Sequence, residues 1–185
     1  MINVNDFKNG ITIVVDDNIF QVVEFQHVKP GKGPAFVRTK LKNLRTGANI
    51  DHTFNAGIKV ERALIDKKAM QYLYNAGDNY VFMNMETYEQ LEINKKDIAE
   101  QIDYLKENLD VELVFYKAEM ISVNLPEKIE MLVTSTEPAI KGNTATTAQK
   151  DATVETGLVV KVPLFVDEGE TIIVSTKDGK YVSRK

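Results

Sequence analysis

The segment Lys29-Pro30-Gly31-Lys32-Gly33-Pro34 combines residue types suited to one task, the delivery of a single cation into a confined anionic or carbonyl-lined space. Gly31 and Gly33 permit positive φ on both sides of Lys32, and Pro30 and Pro34 remove ladder donors, so strand pairing stops short of the tip. Lys32 then projects into solvent on a narrow support. The bland alternative is a solvated turn, because Gly, Pro and Lys are ordinary turn residues. Around the tip, Lys29, Lys32, Arg38, Lys40, Lys42 and Arg45 supply six positive charges and no acid between residues 29 and 45. In a strand, Arg38, Lys40 and Lys42 share one face and Val37, Thr39 and Leu41 the other. A cationic strip ending in an exposed lysine fits a nucleic-acid backbone. The competing reading is a half-exposed strand of an ordinary barrel.

Other chemistry is thinly represented. Asp16 and Asp17 are adjacent acids in a turn, without the apolar pocket that raises a carboxylate's pKa. His27 and His52 have no metal-ligand spacing, and the absence of Cys excludes thiol nucleophiles, disulfides and Cys-ligated metals, so no metal or cofactor is expected. Tyr72, Tyr74, Tyr80, Phe82 and Tyr88 offer base-stacking platforms, or fill a barrel core. No nucleophile with a base beside it and no phosphate loop is present, so an enzyme is not expected.

The elements that carry these residues read as short period-two runs at 12–15, 19–25, 35–44, 49–54, 60–65, 70–74, 80–85 and 88–93. A second series follows at 111–116, 121–125, 129–133, 158–162, 171–175 and 181–182. Turn sequences such as Asp16-Asp17-Asn18 and Lys177-Asp178-Gly179 separate them at the spacing of small barrels or sandwiches. The fold class is all-β. One exception is expected from 94 to 109, where apolar residues at 98, 102, 105 and 109 and Asn94 as N-cap predict a short amphipathic helix. Residues 138–156 read as a long loop leading into a strand.

Charge divides the chain of 185 residues into thirds: nine basic and six acidic residues in 1–65 (+3), seven and thirteen in 66–128 (−6), seven and eight in 129–185 (−1). Domains over 1–65, 66–128 and 129–185 follow, each near the size at which a core is marginal, which closing a sheet into a barrel helps. The basic first third is the place to seek a polyanion, and the acids of the middle third suit a basic protein better than RNA. The longest apolar stretches fall far short of the ~18 residues of a membrane span. The N-terminal residues resemble no signal peptide, so a cytoplasmic protein with no membrane partner is expected.

These residues match a known family over the whole length: the chain resembles bacterial elongation factor P. The match lies in Lys29-Pro30-Gly31-Lys32-Gly33-Pro34-Ala35-Phe36, in Gly142-Asn143-Thr144-Ala145, in the stretch from Lys150 to Leu158, in Val160-Lys161-Val162-Pro163-Leu164-Phe165-Val166 and in Glu168-Gly169-Glu170. The resemblance implies three β-barrels in series, an SH3-like or KOW-type barrel and two oligonucleotide-binding (OB-fold) barrels, in an L-shaped molecule resembling transfer RNA. It implies binding to both subunits of the ribosome between the peptidyl and exit sites, contact with ribosomal RNA and the peptidyl transfer RNA, and rescue of synthesis at consecutive prolines. Lys32 is then the residue that approaches the peptidyl transferase centre, extended after translation by a lysine-modifying enzyme. By the same resemblance Gly142, Asn143 and Thr144 match a loop near the messenger codon of the exit site, and Tyr181 and Arg184 match a transfer-RNA contact. A monomer is expected.

The hypusine-bearing initiation factor of archaea and eukaryotes shares the first two barrels and a lysine-tipped hairpin but lacks a third barrel, so residues 129–185 argue against it. The elongation-factor-P-like paralogues are nearer, yet the tip and C-terminal motif look like the main group. A general RNA-binding or chaperone-like module of tandem barrels remains the alternative, with affinity for free RNA and no proline-specific effect.

Overall fold

Alternating apolar and polar residues become antiparallel strands in three sheets in the computed structural model, which describes residues 1–139 and 148–185. The chain clusters into two compact units, one of residues 1–68 and 113–122 and one of residues 69–112 and 123–185. In the first unit, β1 (Ile2–Asn3), β2 (Thr12–Val15), β3 (Asn18–Val28), β4 (Phe36–Asn43), β5 (Asn49–Asn55) and β6 (Lys59–Arg62) form a sheet in the order β1-β6-β2-β3-β4-β5. Asp16 and Asp17 at φ 49° and 63° make the tight two-residue turn from β2 to β3, whose twist matches that of the strands. Inward residues Val4, Phe7, Ile13, Phe20, Val22, Val37, Leu41 and Phe54 form the core, and burial of apolar surface at ~25 cal/mol per Å² is the main force holding it.

The single strand expected over 60–65 is two. Strand β6 ends at Arg62 and β7 (Ile65–Ala76) begins three residues later. Ala63 between them is buried, its N–H donating to Thr12 O (2.9 Å) and its carbonyl accepting from Thr12 Oγ1 (2.5 Å). Both backbone polar groups of Ala63 are thereby satisfied where the chain leaves the first sheet. Ala63 also packs with Ile19, Val114 and Ile121 in a second small core.

The second sheet runs β11-β10-β7-β8-β9, with β8 (Asn79–Asn84), β9 (Gln90–Asn94), β10 (Asp110–Tyr116) and β11 (Glu119–Asn124). Tyr72, Tyr80 and Phe82 are buried, with Tyr72 5.9 Å from Tyr80 and 5.5 Å from Phe82 between ring centroids, whereas Tyr74 and Tyr88 are exposed. The aromatic run therefore divides between core and surface. Burial comes first among the causes that raise the Tyr72 phenol above its ordinary pKa, with Tyr80 and Glu107 adding to it.

The expected helix over 94–109 is replaced by two 3₁₀ turns, Lys95–Ile98 and Ile102–Tyr104. Asn94 caps the first as foreseen, its Oδ1 accepting from Lys96 N–H at 3.0 Å. Leu105, however, is extended, and the chain returns to β7 through hydrogen bonds from Asn108 N–H to Tyr72 O (2.8 Å) and from Tyr72 N–H to Leu109 O (2.9 Å). A straight helix of this length, ~24 Å long, would carry those residues past the strand they pair with. So short a helix has little intrinsic stability, and tertiary contacts decide the backbone.

The third sheet, β14-β13-β12-β15-β16, is built from β12 (Lys128–Thr136), β13 (Gln149–Val154), β14 (Val159–Pro163), β15 (Thr171–Ser175) and β16 (Tyr181–Arg184). Ile129, Met131, Val133, Val154, Val162 and Ile172 lead its core, against which Tyr104 and Leu109 of the preceding segment pack. The region 138–156, expected as one loop, contains β13. Its alternation hides behind polar letters: Lys150 is buried, its stem inside and its ammonium donating to Glu137 O at 2.8 Å.

Candidate nucleic-acid interface

The tip hairpin joins β3 and β4. Cross-strand pairing ends at Val28 and Phe36, so residues 29–35 lie beyond the ladder. Lys32 is exposed and makes no ion pair or hydrogen bond among the described residues. Gly33 takes φ +99°, a conformation only glycine adopts easily, whereas Gly31 does not have positive φ, which corrects the symmetric expectation. A Cβ at either position would meet nothing within 4 Å. Bare backbone thus flanks Lys32 on both sides.

Strand β4 presents Arg38, Lys40 and Lys42 to solvent and buries Val37, Thr39 and Leu41. Thr39 satisfies its hydroxyl by donating to His52 O at 2.6 Å. The strip is not a single-sign surface as the sequence window suggested. Glu24 on β3 and Asp51 on β5 stand directly opposite Lys40 from the two sides, while Arg38 has Gln26 and Thr53, and Lys42 has Gln21 and Asn49. The Arg38 guanidinium lies 6.0 Å from the centre of the Phe36 ring.

Arg45 leaves the strip altogether. It donates to both carboxylate oxygens of Glu119, at 2.8 and 3.4 Å. The Arg45 hydrogen bond first, and its charge second, hold the Glu119 carboxyl below the usual carboxylate range. Because the folded-state pKa lies below the unfolded one, the pair contributes at pH values above the unfolded pKa and is lost as pH falls through the folded one. In an NMR titration Glu119 should protonate at lower pH than an unpaired glutamate, and Arg45→Ala should return it to the ordinary range. An unchanged titration in the variant would show that Arg45 is not the cause.

Tyr181 and Arg184 lie on β16 in the other unit. Tyr181 packs against the core of the third sheet. Arg184 is exposed but engaged, 3.5 Å from Glu170 and stacked over Phe165 at 4.9 Å. Gly142, Asn143 and Thr144 lie outside the described residues. Glu24, Gln26 and Asp51 are the residues the sequence window missed, because only strand register brings Glu24 and Asp51 beside Lys40 and Gln26 beside Arg38.

Three models of this family match in order: the elongation factor P KOW-like domain over residues 3–60, the elongation factor P OB domain over 65–123, and the elongation factor P C-terminal domain over 129–184. A relative named elongation factor P from Phytoplasma australiense is 60% identical over 185 residues, spanning 100% of this chain and 98% of its own length. Among solved structures, a eukaryotic translation initiation factor 5A from Methanococcus jannaschii superposes with TM-score 0.53 at 27% identity, covering 67% of this chain and 91% of its own. A translation initiation factor of the eif-5a family from Naegleria fowleri, at 15% identity and TM-score 0.51 over 67% of this chain and 96% of its own, shares the fold. Three domain models that leave little of the length unmatched, and a full-length relative at this identity, give one assignment: the chain belongs to the elongation factor P family of translation factors.

Proposed function

We propose that this protein binds the ribosome between the peptidyl and exit sites and steadies the peptidyl transfer RNA, so that peptide bonds form at consecutive prolines. The observation that carries the reading is Lys32, exposed, without a partner among the described residues, and beyond the last strand pair of a hairpin whose flanking glycines offer no side chain. Such a tip enters a crevice that a broader hairpin could not. Peptide-bond chemistry is left to ribosomal RNA, and the protein acts by position rather than as an enzyme. Proline is a rigid and poorly aligned reactant, and holding the acceptor end in reactive geometry recovers part of an orientation term worth up to ~7–11 kcal/mol in model reactions.

In this reading Arg38, Lys40 and Lys42, with Lys29, meet RNA phosphates while Lys32 braces the acceptor end. Tyr181 and Arg184 add a contact to transfer RNA, and Gly142, Asn143 and Thr144 approach the exit-site codon. A modifying enzyme extends Lys32, the factor works as a monomer in the cytoplasm, and both ribosomal subunits are its partners. No helix among the described residues is long and apolar enough to cross a membrane.

The test is translation in a purified system of a reporter with three consecutive prolines and of a proline-free control, each with and without protein from native cells. Acceleration confined to the proline template is expected. Equal rates on the proline template with and without protein would overturn the reading in favour of a general RNA-binding module.

A further inference from the structure

The outer face of β3, β4 and β5 carries more than cations. Asn9, Glu24, Gln26, Arg38, Lys40 and Asp51 line one open cleft of about 580 Å³. Its middle row is acid, base, acid: Glu24, Lys40 and Asp51 are direct cross-strand neighbours. Opposite charges so placed commonly pair. Here none of the three forms an ion pair among the described residues, so two carboxylates and an ammonium reach the cleft unneutralised.

The presence of Glu24 on this face depends on a β-bulge. The ladder pairs Val22 with Leu41 and then Glu24 with Lys40, with Val23 as the extra residue. In a regular strand residue 24 would share the face of Phe20 and Val22, which is the core. The irregularity turns a carboxylate outward beside the basic strip, where it weakens attraction for any simple polyanion.

The ligand that fits has both an anion and hydrogen-bond donors. A bare phosphate is opposed by two carboxylates, and a metal cation by Lys40 and Arg38. An added protein strand could join only at the outer edge of β5, beyond the row that holds Lys40, because β4 is paired on both sides. A nucleotide carries the required combination: its phosphate meets Arg38 and Lys40, and an amino-bearing base donates to Glu24 or Asp51. Guanine suits a carboxylate best, since its N1–H and exocyclic N2–H point the same way. Acidic side chains read base amino groups in this manner, and single-stranded RNA exposes those edges. We infer that this cleft is a base-reading site for unpaired RNA, selecting a guanine amino group through Glu24 and Asp51. The inference rests on the reading that the β4 face meets RNA.

The probes are three uridine oligoribonucleotides of about 12 nucleotides, a length suited to small barrels. One is all uridine, one has two central guanosines, and one has two central inosines, which lack only the amino group. Binding to the full chain is followed by fluorescence anisotropy at about 50 mM salt, where phosphate contacts are strong. The guanosine oligomer should bind about fivefold or more tightly than the other two. Glu24→Ala with Asp51→Ala should tighten the uridine and inosine oligomers, which then face two fewer carboxylates, and abolish the guanosine preference, and an unchanged melting temperature would show that the fold is intact. Equal binding of the three to the wild type, no binding, or a guanosine preference that survives the double substitution would each overturn the inference. Failure here with an intact response of the triple-proline reporter removes the base-reading site alone. Loss of the reporter response removes the ribosomal reading beneath it.

Discussion

Lys32→Ala is expected to return synthesis through three prolines to the rate without the protein, while the melting temperature stays within about 2 °C of wild type. Lys32 has no intramolecular partner among the described residues, and substitutions at such exposed positions shift stability by about 0.5 kcal/mol or less. Any loss of activity then belongs to the encounter with the ribosome. A tenfold rate requires about 1.4 kcal/mol, which a few ordered contacts at the tip supply. The flanking glycines sharpen the test. Gly31 lacks positive φ and has open space around it, so Gly31→Ala should be neutral for folding; a fall in activity would place the demand for glycine in the crevice rather than in the hairpin. Gly33→Ala carries backbone strain of about 1–3 kcal/mol at φ +99°, and should alter the hairpin itself. Reporter rates and thermal melts of the three variants separate these causes. A wild-type rate in Lys32→Ala would end the central role of the tip.

Strand β4 is legible in sequence because its alternation is strict and its two turns are marked by Gly and Pro or by Arg45-Thr46-Gly47. The neighbours of Lys40 are not legible in the same way. Glu24 and Asp51 lie in other strands, and the bulge at Val22/Glu24 inverts the parity by which residue 24 would be assigned to the core. Arg45 illustrates the opposite error. A charge count places it with the strip, and only the fold brings Glu119 within 2.8 Å of it. From 94 to 109 the 3.6-residue period is real but misleading: Tyr104 and Leu109 serve the third core while Asn108 and Leu109 pair with β7, and no single helical face meets both demands. Periodicity reports which residues are buried, and the partners that bury them decide the backbone.

The segment joining β9 to β10 also sets the second large effect. Tyr104 packs against the third core, with its Oη 2.9 Å from where a Cβ at Gly179 would lie. Gly179 itself stands at φ +71° in the turn between β15 and β16, its N–H donating to Ser175 O at 2.9 Å. Burial first, then the Asp103 and Asp178 carboxylates, raise the Tyr104 phenol above its ordinary pKa, as expected for a ring wedged under an acidic turn. The chain on either side of Tyr104 is held, with Asp103 O accepting from Thr156 Oγ1 at 2.5 Å and Lys106 lying 3.8 Å from Glu155, so relief has to come from the ring, which packs against the third core. Gly179→Ala therefore adds about 1–2 kcal/mol for the left-handed backbone and about 1–3 kcal/mol for overpacking. For a chain of this size the melting temperature should fall by roughly 5–15 °C. Tyr104→Phe removes the colliding oxygen and leaves the ring carbon at 3.9 Å, an ordinary contact. In that background the same glycine substitution should cost only the backbone part. A double-mutant cycle measures the difference as a coupling energy. If the cycle shows no coupling, Tyr104 does not hold the turn, and the join between the second and third sheets must depend on Thr156 and Lys106 instead.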